Sequence, residues 1–314
     1  MHDLIVVGAG PVGLHAALKA AVLNHSVLLV DKGRAYSRVS QAPTIANLPF
    51  APGISGLALL DALRRDLARF ASIKGEALVD VLEDTEALSA RRDAEGFVVS
   101  LRSAEGAPRE ERGRVLILAT GVVDRKPGID RYHAEGHGVL APYVRGDEIG
   151  YCVLCEGWRL EGREVAVVGE SVAAAQVARD LAGHFRARVT LLTDGARAPP
   201  GIPAREERIA SFADEKGRLR VAFAEGEPLL VDQALFHLGW YKANNELAVA
   251  LGAAVDAEGL VKTTPSCECV DRDGNVLPGL YAVGDLRAGS WKQIVVGWGD
   301  AETAVISAYA YRLP

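Results

Sequence analysis

Residues 4–33, LIVVGAGPVGLHAALKAAVLNHSVLLVDKG, decide the fold. A short apolar run meets a glycine turn, small and apolar residues then recur at helical spacing from about Val12 to Leu23, and VLLV leads to Asp31. Strand, turn, helix and strand make a βαβ unit, whose two strands lie parallel. In GAGPVG the glycines Gly8, Gly10 and Gly13 permit a tight turn, close approach of a pyrophosphate to the backbone, and close packing of helix on strand. Pro11 and Val12 open the helix, whose N-terminal amides favour negative charge. Asp31, at the end of the second strand, is placed to accept hydrogen bonds from ribose hydroxyls. These six residues form a candidate dinucleotide site.

The same grammar returns at residues 164–195, EVAVVGESVAAAQVARDLAGHFRARVTLLTDG. Between the two units FVVSLRS and RVLILATG read as strands, as do RLRVAFAEG and LLVDQALFHLG after the second. Gly- and Pro-containing loops are expected at 106–113, 126–150 and 195–203. Near the C-terminus GLYAVGD reads as a strand ending in a sharp Gly284–Asp285 turn, and WKQIVVGWGDAETAVISAYAYRL as a buried helix. That helix must return to a sheet, and the first domain is its natural host. The expected fold is α/β: two Rossmann-like, three-layer ββα nucleotide-binding domains, the second inserted into the first. Boundaries fall at 1–121, 122–242 and 243–314.

The chain has 314 residues, 49% of them apolar, and a net charge of −6 without any block of Lys or Arg. Nucleic acid and anionic membrane are therefore not expected partners. Met1–Asp3 run straight into LIVVG, and no apolar stretch approaches the roughly 20 residues of a membrane span. A cytoplasmic protein is expected. In that reducing compartment the four cysteines suit catalysis or metal binding better than a structural framework. Two of them stand in YCVLCEGW, residues 151–158. Spacing alone leaves a zinc clip, a pair of core thiols and a working disulfide all open for Cys152 and Cys155.

GAGPVGLHAA, IANLPFAPGISG, LILATG, CVLCEG and GLYAVGD, in that order, resemble the low-molecular-weight thioredoxin reductases, FAD-dependent pyridine nucleotide-disulfide oxidoreductases. The resemblance covers nearly the whole chain. It implies FAD in the first site, with Gly284 at the turn and Asp285 accepting from a ribityl hydroxyl. It also places Asn47 near the isoalloxazine, Thr120 and Gly121 at the turn between domains, and the backbone of Gln293 and Ile294 against a flavin carbonyl. A helix N-terminus there stabilises the negative charge of reduced flavin. By the same resemblance the CxxC is a redox disulfide: Cys155 meets the flavin and Cys152 exchanges with substrate. Glu156 stands where the family usually has Asp and keeps a carboxylate to shuttle the proton. If the pair opens a helix, the dipole lowers the thiolate pKa. No metal is expected. The implied partners are a thioredoxin-like protein or a small dithiol or disulfide, acting on a homodimer.

The second unit departs from the family where the electron donor binds. Its turn reads Gly169, Glu170, Ser171, Val172, Ala173, Ala174, so a side chain and a like charge stand where a pyrophosphate would approach. Thr193 and Asp194 replace the basic cluster for a 2′-phosphate, with Arg197 alone to compensate. NADPH is not expected, while NADH stays open with Asp194 on the ribose. Three readings follow: a disulfide reductase fed by NADH or a ferredoxin-type carrier, a dithiol oxidase delivering electrons to O2, and a flavin-binding redox sensor without turnover. Cys267 and Cys269 would share one face of a strand, as a strained disulfide, an electron relay, or small buried hydrophobes. His133, His137 and His237 receive no role.

Overall fold

The structure, a computed structural model, describes residues 1–74, 78–103, 106–124, 143–144, 148–237 and 241–311. The chain divides into two compact units. One comprises Met1–Gln41, Ile54–Val123 and Lys242–Pro314; the other comprises Ala42–Gly53 and Asp124–Tyr241.

The first unit opens with β1 (His2–Val7), α1 (Pro11–Val22), β2 (Val27–Val30), α2 (Gly56–Lys74) and β3 (Val79–Leu82). β1 lies parallel to β2, with Leu4 opposite Val27, and β2 parallel to β3. An antiparallel meander follows: β4 (Thr85–Arg92), β5 (Phe97–Ser103) and β6 (Arg109–Leu118). The second half of β6 then lies parallel to β1, Ile5 opposite Leu116. Residues 109–113, read from sequence as loop, are strand, with Leu101 opposite Arg109 and Phe97 opposite Gly113. Their charges are no obstacle on an exposed meander, where Arg91 meets Glu110 and Arg112 meets Asp93.

The second unit contains β7 (Ile149–Gly150), a single helical turn α3 (Val153–Glu156), β8 (Glu164–Val168), α4 (Val172–His184), β9 (Arg188–Leu192) and β10 (Ala204–Arg205). A separate antiparallel sheet is made by β11 (Ile209–Glu215), β12 (Arg218–Phe223) and β13 (Leu229–Val231), after which β14 (Gln233–Phe236) re-enters the parallel sheet between β8 and β7. LLVDQALF is thus two strands rather than one. Asp232 separates them, its carboxylate accepting from the Glu164 amide and from Arg218, each at 2.9 Å.

The chain returns to the first unit through α5 (Glu246–Ala250), β15 (Glu268–Val270), β16 (Val276–Ala282) and α6 (Ile294–Tyr311). β16 lies parallel to β6, Leu280 opposite Leu116, completing the sheet order β15-β16-β6-β1-β2-β3. Ala301, Ala304, Val305 and Ala308 of α6 are fully buried in one core with Leu4, Val6, Leu29, Ile117 and Tyr281. Small side chains on that face let the helix lie close to the sheet, and each fully buried aliphatic or aromatic side chain contributes about 1.5–3 kcal/mol. Among the described residues no helix is long and apolar enough to cross a membrane.

Candidate active site

The glycine turn after β1 separates into residues that the fold demands and one that it does not. Gly8 adopts φ +103°, and a Cβ there would lie 2.5 Å from the Ala119 carbonyl oxygen. A Cβ on Gly13 would overlap the carbonyl oxygen of Gly8. Gly10 has an ordinary φ of −67°, and a Cβ there would find only Ser37 Oγ, at 3.6 Å. No side chain caps α1, which starts at Pro11. The cradle over Gly10, at the N-terminus of a twelve-residue helix, fits a pyrophosphate. Val12 turns its methyls toward the second glycine pair, where Cβ atoms on Gly284 and Gly297 would lie 3.0 and 2.5 Å away. Its side chain packs; only its backbone is left for a ligand.

Asp31 is buried, with one oxygen accepting from the Ala9 amide at 3.1 Å and the other from Arg64 at 3.0 Å. A carboxylate has about four acceptor positions, so two remain for ribose hydroxyls. Arg64, invisible to local sequence reasoning, also bonds Glu83 at 2.9 Å, and its Nη1 is buried without a hydrogen-bond partner. Gly284, at φ +67°, begins a tight turn after β16, and Asp285 Oδ2 accepts from Arg38 at 3.3 Å. Thr120 and Gly121 are clamped by Asn244: the Thr120 hydroxyl donates to the Asn244 carbonyl at 2.6 Å, the Asn244 amide side chain returns a bond to the Thr120 carbonyl at 2.7 Å, and the Asn244 N–H donates to Gly121. The carbonyl of Gln293 accepts from Gly297, so Gln293 and Ile294 open α6 as expected. Asn47 is exposed, in the 42–53 segment that groups with the second unit. The residues of the first unit fit FAD, with Gly8–Gly13, Asp31, Gly284 and Asp285 the groups that would hold it.

Cys152 and Cys155 are joined in a disulfide, Cα atoms 5.2 Å apart. The Cys152 carbonyl accepts from the amides of Cys155 and Glu156, both at 3.0 Å, closing the single turn α3. One turn carries little macrodipole, so the expected help from a helix N-terminus reduces to local amides. The Glu156 carboxylate folds over Gly150, where any Cβ would overlap it, and Arg159 lies 4.0 Å from its other oxygen. Gly157 faces the Phe185 ring, which leaves a Cβ no room. Burial first, then the charges of Asp124 and Glu156, push the Tyr151 phenol up to about 12, so it stays protonated. Leu154 and Trp158 are exposed beside the pair, and the Trp158 indole donates to the Cys155 carbonyl at 3.1 Å.

In the second βαβ turn, Gly169 is required by the His237 carbonyl oxygen, which a Cβ would overlap. Ser171 caps α4, its hydroxyl accepting from the Ala174 amide at 3.0 Å, and Glu170 is exposed. Asp194 turns inward to accept from the Ile209 amide at 2.9 Å. Arg197 is not the sole cation nearby: the Arg208 side chain passes beside Gly195, where a Cβ would lie 3.0 Å from its Cγ. The antiparallel excursion supplies Arg208, and nothing in LLTDGAR announces it. Burial lowers the His237 pKa, leaving it neutral; His133 and His137 lie outside the described residues. Cys267 and Cys269 are free, buried thiols. Cys267 has φ +66°, so strand alternation does not place the two on one face. Burial pushes its thiol up to about 11 and raises Cys269 further.

Two nucleotide-binding folds in one chain, one with an open pyrophosphate cradle and the other carrying a bonded CxxC, define a flavoprotein of the disulfide-exchanging class. The family described as Pyridine nucleotide-disulphide oxidoreductase matches residues 2–301, and the chain belongs to it. Thioredoxin reductase of Bacillus subtilis (strain 168) is 23% identical over 329 residues, spanning 99% of this chain and 95% of its own. That of Listeria monocytogenes is 26% identical over 330 residues, spanning 99% and 94%. The crystal structure of thioredoxin reductase from Streptococcus pyogenes MGAS5005 superposes with a TM-score of 0.80 at 21% identity, covering 99% of this chain and 98% of that one, a likeness of fold. The chain is a thioredoxin reductase-like, FAD-dependent disulfide oxidoreductase.

Proposed function

We propose that the chain moves electron pairs between FAD and a dithiol or disulfide through Cys152 and Cys155, and that NADPH is not its electron donor. The observation that carries the second half is the turn after β8. There the Ser171 hydroxyl already takes the Ala174 amide, one of the helix N-terminal donors on which a pyrophosphate depends. Exposed Glu170 adds a like charge, worth about 1 kcal/mol or less in solvent, so the occupied amide and the extra side chains weigh more.

FAD, when bound, supplies a reversible two-electron store. The chain's residues do the exchange. A substrate thiolate attacks Cys152 Sγ, the bond to Cys155 breaks, and Cys155 leaves as a thiolate. The second substrate thiol then attacks the substrate sulfur of the mixed disulfide. Substrate departs as a disulfide; the two cysteines take up its two electrons, and its two protons are divided between the Cys152 thiol and Glu156, with Cys155 left as the thiolate. Glu156 holds one of those protons at its carboxylate. The same steps reversed reduce a substrate disulfide. A thioredoxin-like partner is supported by a relative named bifunctional thioredoxin reductase/thioredoxin, from Mycobacterium leprae, 27% identical over 98% of this chain and 65% of its own length.

In the reducing direction NADH or a ferredoxin-type carrier would feed the flavin. The capped turn favours a second reading, in which electrons enter from a dithiol and leave to O2. Replacing Glu170 and Ser171 together by Gly tests the exclusion, because Gly at an N-cap costs helix stability only a few tenths of a kcal/mol. NADPH binding by calorimetry should tighten at least tenfold in this variant. Micromolar NADPH affinity already in the parent chain, unchanged by the substitutions, would overturn the reading.

A further inference from the structure

We propose that Asp300, on α6, is the positioning residue that fixes Asp285 for the flavin; this rests on FAD occupying the first unit. Asp300 is 8% exposed. Its Oδ2 accepts from the Gly284 amide at 3.2 Å and from the Ser290 hydroxyl at 2.9 Å. Its Oδ1 accepts from Arg287 Nη1 at 3.0 Å and from the Cys267 thiol at 4.0 Å. One buried carboxylate therefore gathers both ends of the 284–290 loop and its central arginine. A buried charge is tolerable only when so satisfied, and it enforces the arrangement that satisfies it.

The Asp285 carboxylate accepts from Arg38 at 3.3 Å and is not among the groups bonded to Asp300. The Asp285 backbone starts one peptide from the Gly284 amide that Asp300 holds. The rest of the loop is tied to a separate segment, the Leu286 carbonyl and the Ala288 amide pairing with Val261, and Arg287 Nε with the Thr263 hydroxyl at 2.8 Å. The loop that carries Asp285 is thus anchored twice, by the helix through Asp300 and by residues 261–263. The Cys267 thiol also reaches the hub, 4.0 Å from Asp300 Oδ1.

Asp300→Asn makes one of the two oxygens an NH2 group, setting donor against donor on either the Gly284 and Ser290 side or the Arg287 and Cys267 side. The test is a double-mutant cycle on FAD affinity, read by flavin fluorescence with apoprotein. Asp300→Asn should raise the FAD Kd about tenfold in the parent chain, the factor that a loss of about 1.4 kcal/mol produces, but less than twofold in an Asp285→Ala background. Equal factors in both backgrounds would mean a general structural role, and an unchanged Kd would mean none; either overturns the inference. Should Asp300→Asn fail to fold, Ser290→Ala removes one donor only, leaves Asp300 its other partners, and should show the same pattern at about threefold, a loss of about 0.65 kcal/mol. Failure of the parent chain to bind FAD at all would instead sink the flavin reading, and this inference with it.

Discussion

Gly10→Ala separates the ligand's demands from those of the fold. At φ −67° and ψ 179° alanine is unstrained, and its Cβ would meet only Ser37 Oγ, at 3.6 Å. Replacing Gly by Ala at such a compatible position stabilises a chain by about 0.4–1 kcal/mol through the unfolded state. The apoprotein should therefore melt no lower than the parent. FAD should suffer, because a methyl over the helix N-terminus displaces the pyrophosphate from its amides, and each hydrogen bond to a charged group is worth about 1.5–3 kcal/mol. Losing one or two raises the Kd by about 10- to 1,000-fold or more. Gly8→Ala and Gly13→Ala are the contrast, since their Cβ atoms would press on the carbonyl oxygens of Ala119 and Gly8. Both should lower the melting temperature of the apoprotein itself. Differential scanning fluorimetry of apoprotein, with FAD titration beside it, reads both effects. Parent-like FAD affinity in Gly10→Ala, or unfolding of that variant, would refute the assignment of the cradle.

Gly150→Ala drives a methyl into the Glu156 carboxylate, so the pH profile of dithiol exchange should change while FAD content does not; an unaltered profile would remove Glu156 from the proton path. Cys152→Ser leaves Cys155 as a lone thiol, and FAD-loaded protein should show a long-wavelength thiolate-to-flavin band that Cys155→Ser lacks. Burial moves the Cys267 thiol from 9.0 up to about 11, with Cys269 shifted the same way. Between those values the folded chain keeps protons that the unfolded chain loses, so stability falls as pH rises through that window. Urea midpoints across it should decline, and less steeply in Cys267→Ala; a flat profile in the parent would contradict the burial of these thiols.

What was legible in the sequence was local. GAGPVG, the second βαβ repeat and the terminal strand and helix each carry their period or turn chemistry within some 30 residues, and the parallel sheet follows from them. Partners brought from far along the chain were not legible. Arg64 on Asp31, Arg38 on Asp285, Asn244 on Thr120, and Asp300 on Gly284 arise only when the sheet is assembled. The same holds for Arg208 beside Gly195, which local counting at 193–197 missed. Positive φ at Cys267 broke the alternation assumed for the CxC pair, an ordinary failure of period-2 reasoning where a turn precedes a short strand.

In the proposed function thiols, and not NADPH, exchange electrons with the flavin. Anaerobic stopped-flow of the FAD-loaded protein, following flavin absorbance, tests it most directly. Dithiothreitol should bleach the flavin rapidly in the parent and not in Cys152→Ser or Cys155→Ser. NADPH should bleach it slowly or not at all, with NADH no worse. Rapid, saturable bleaching at micromolar NADPH would overturn the exclusion of NADPH and would assign Arg208, with Arg197, to a phosphate site that the capped turn does not exclude.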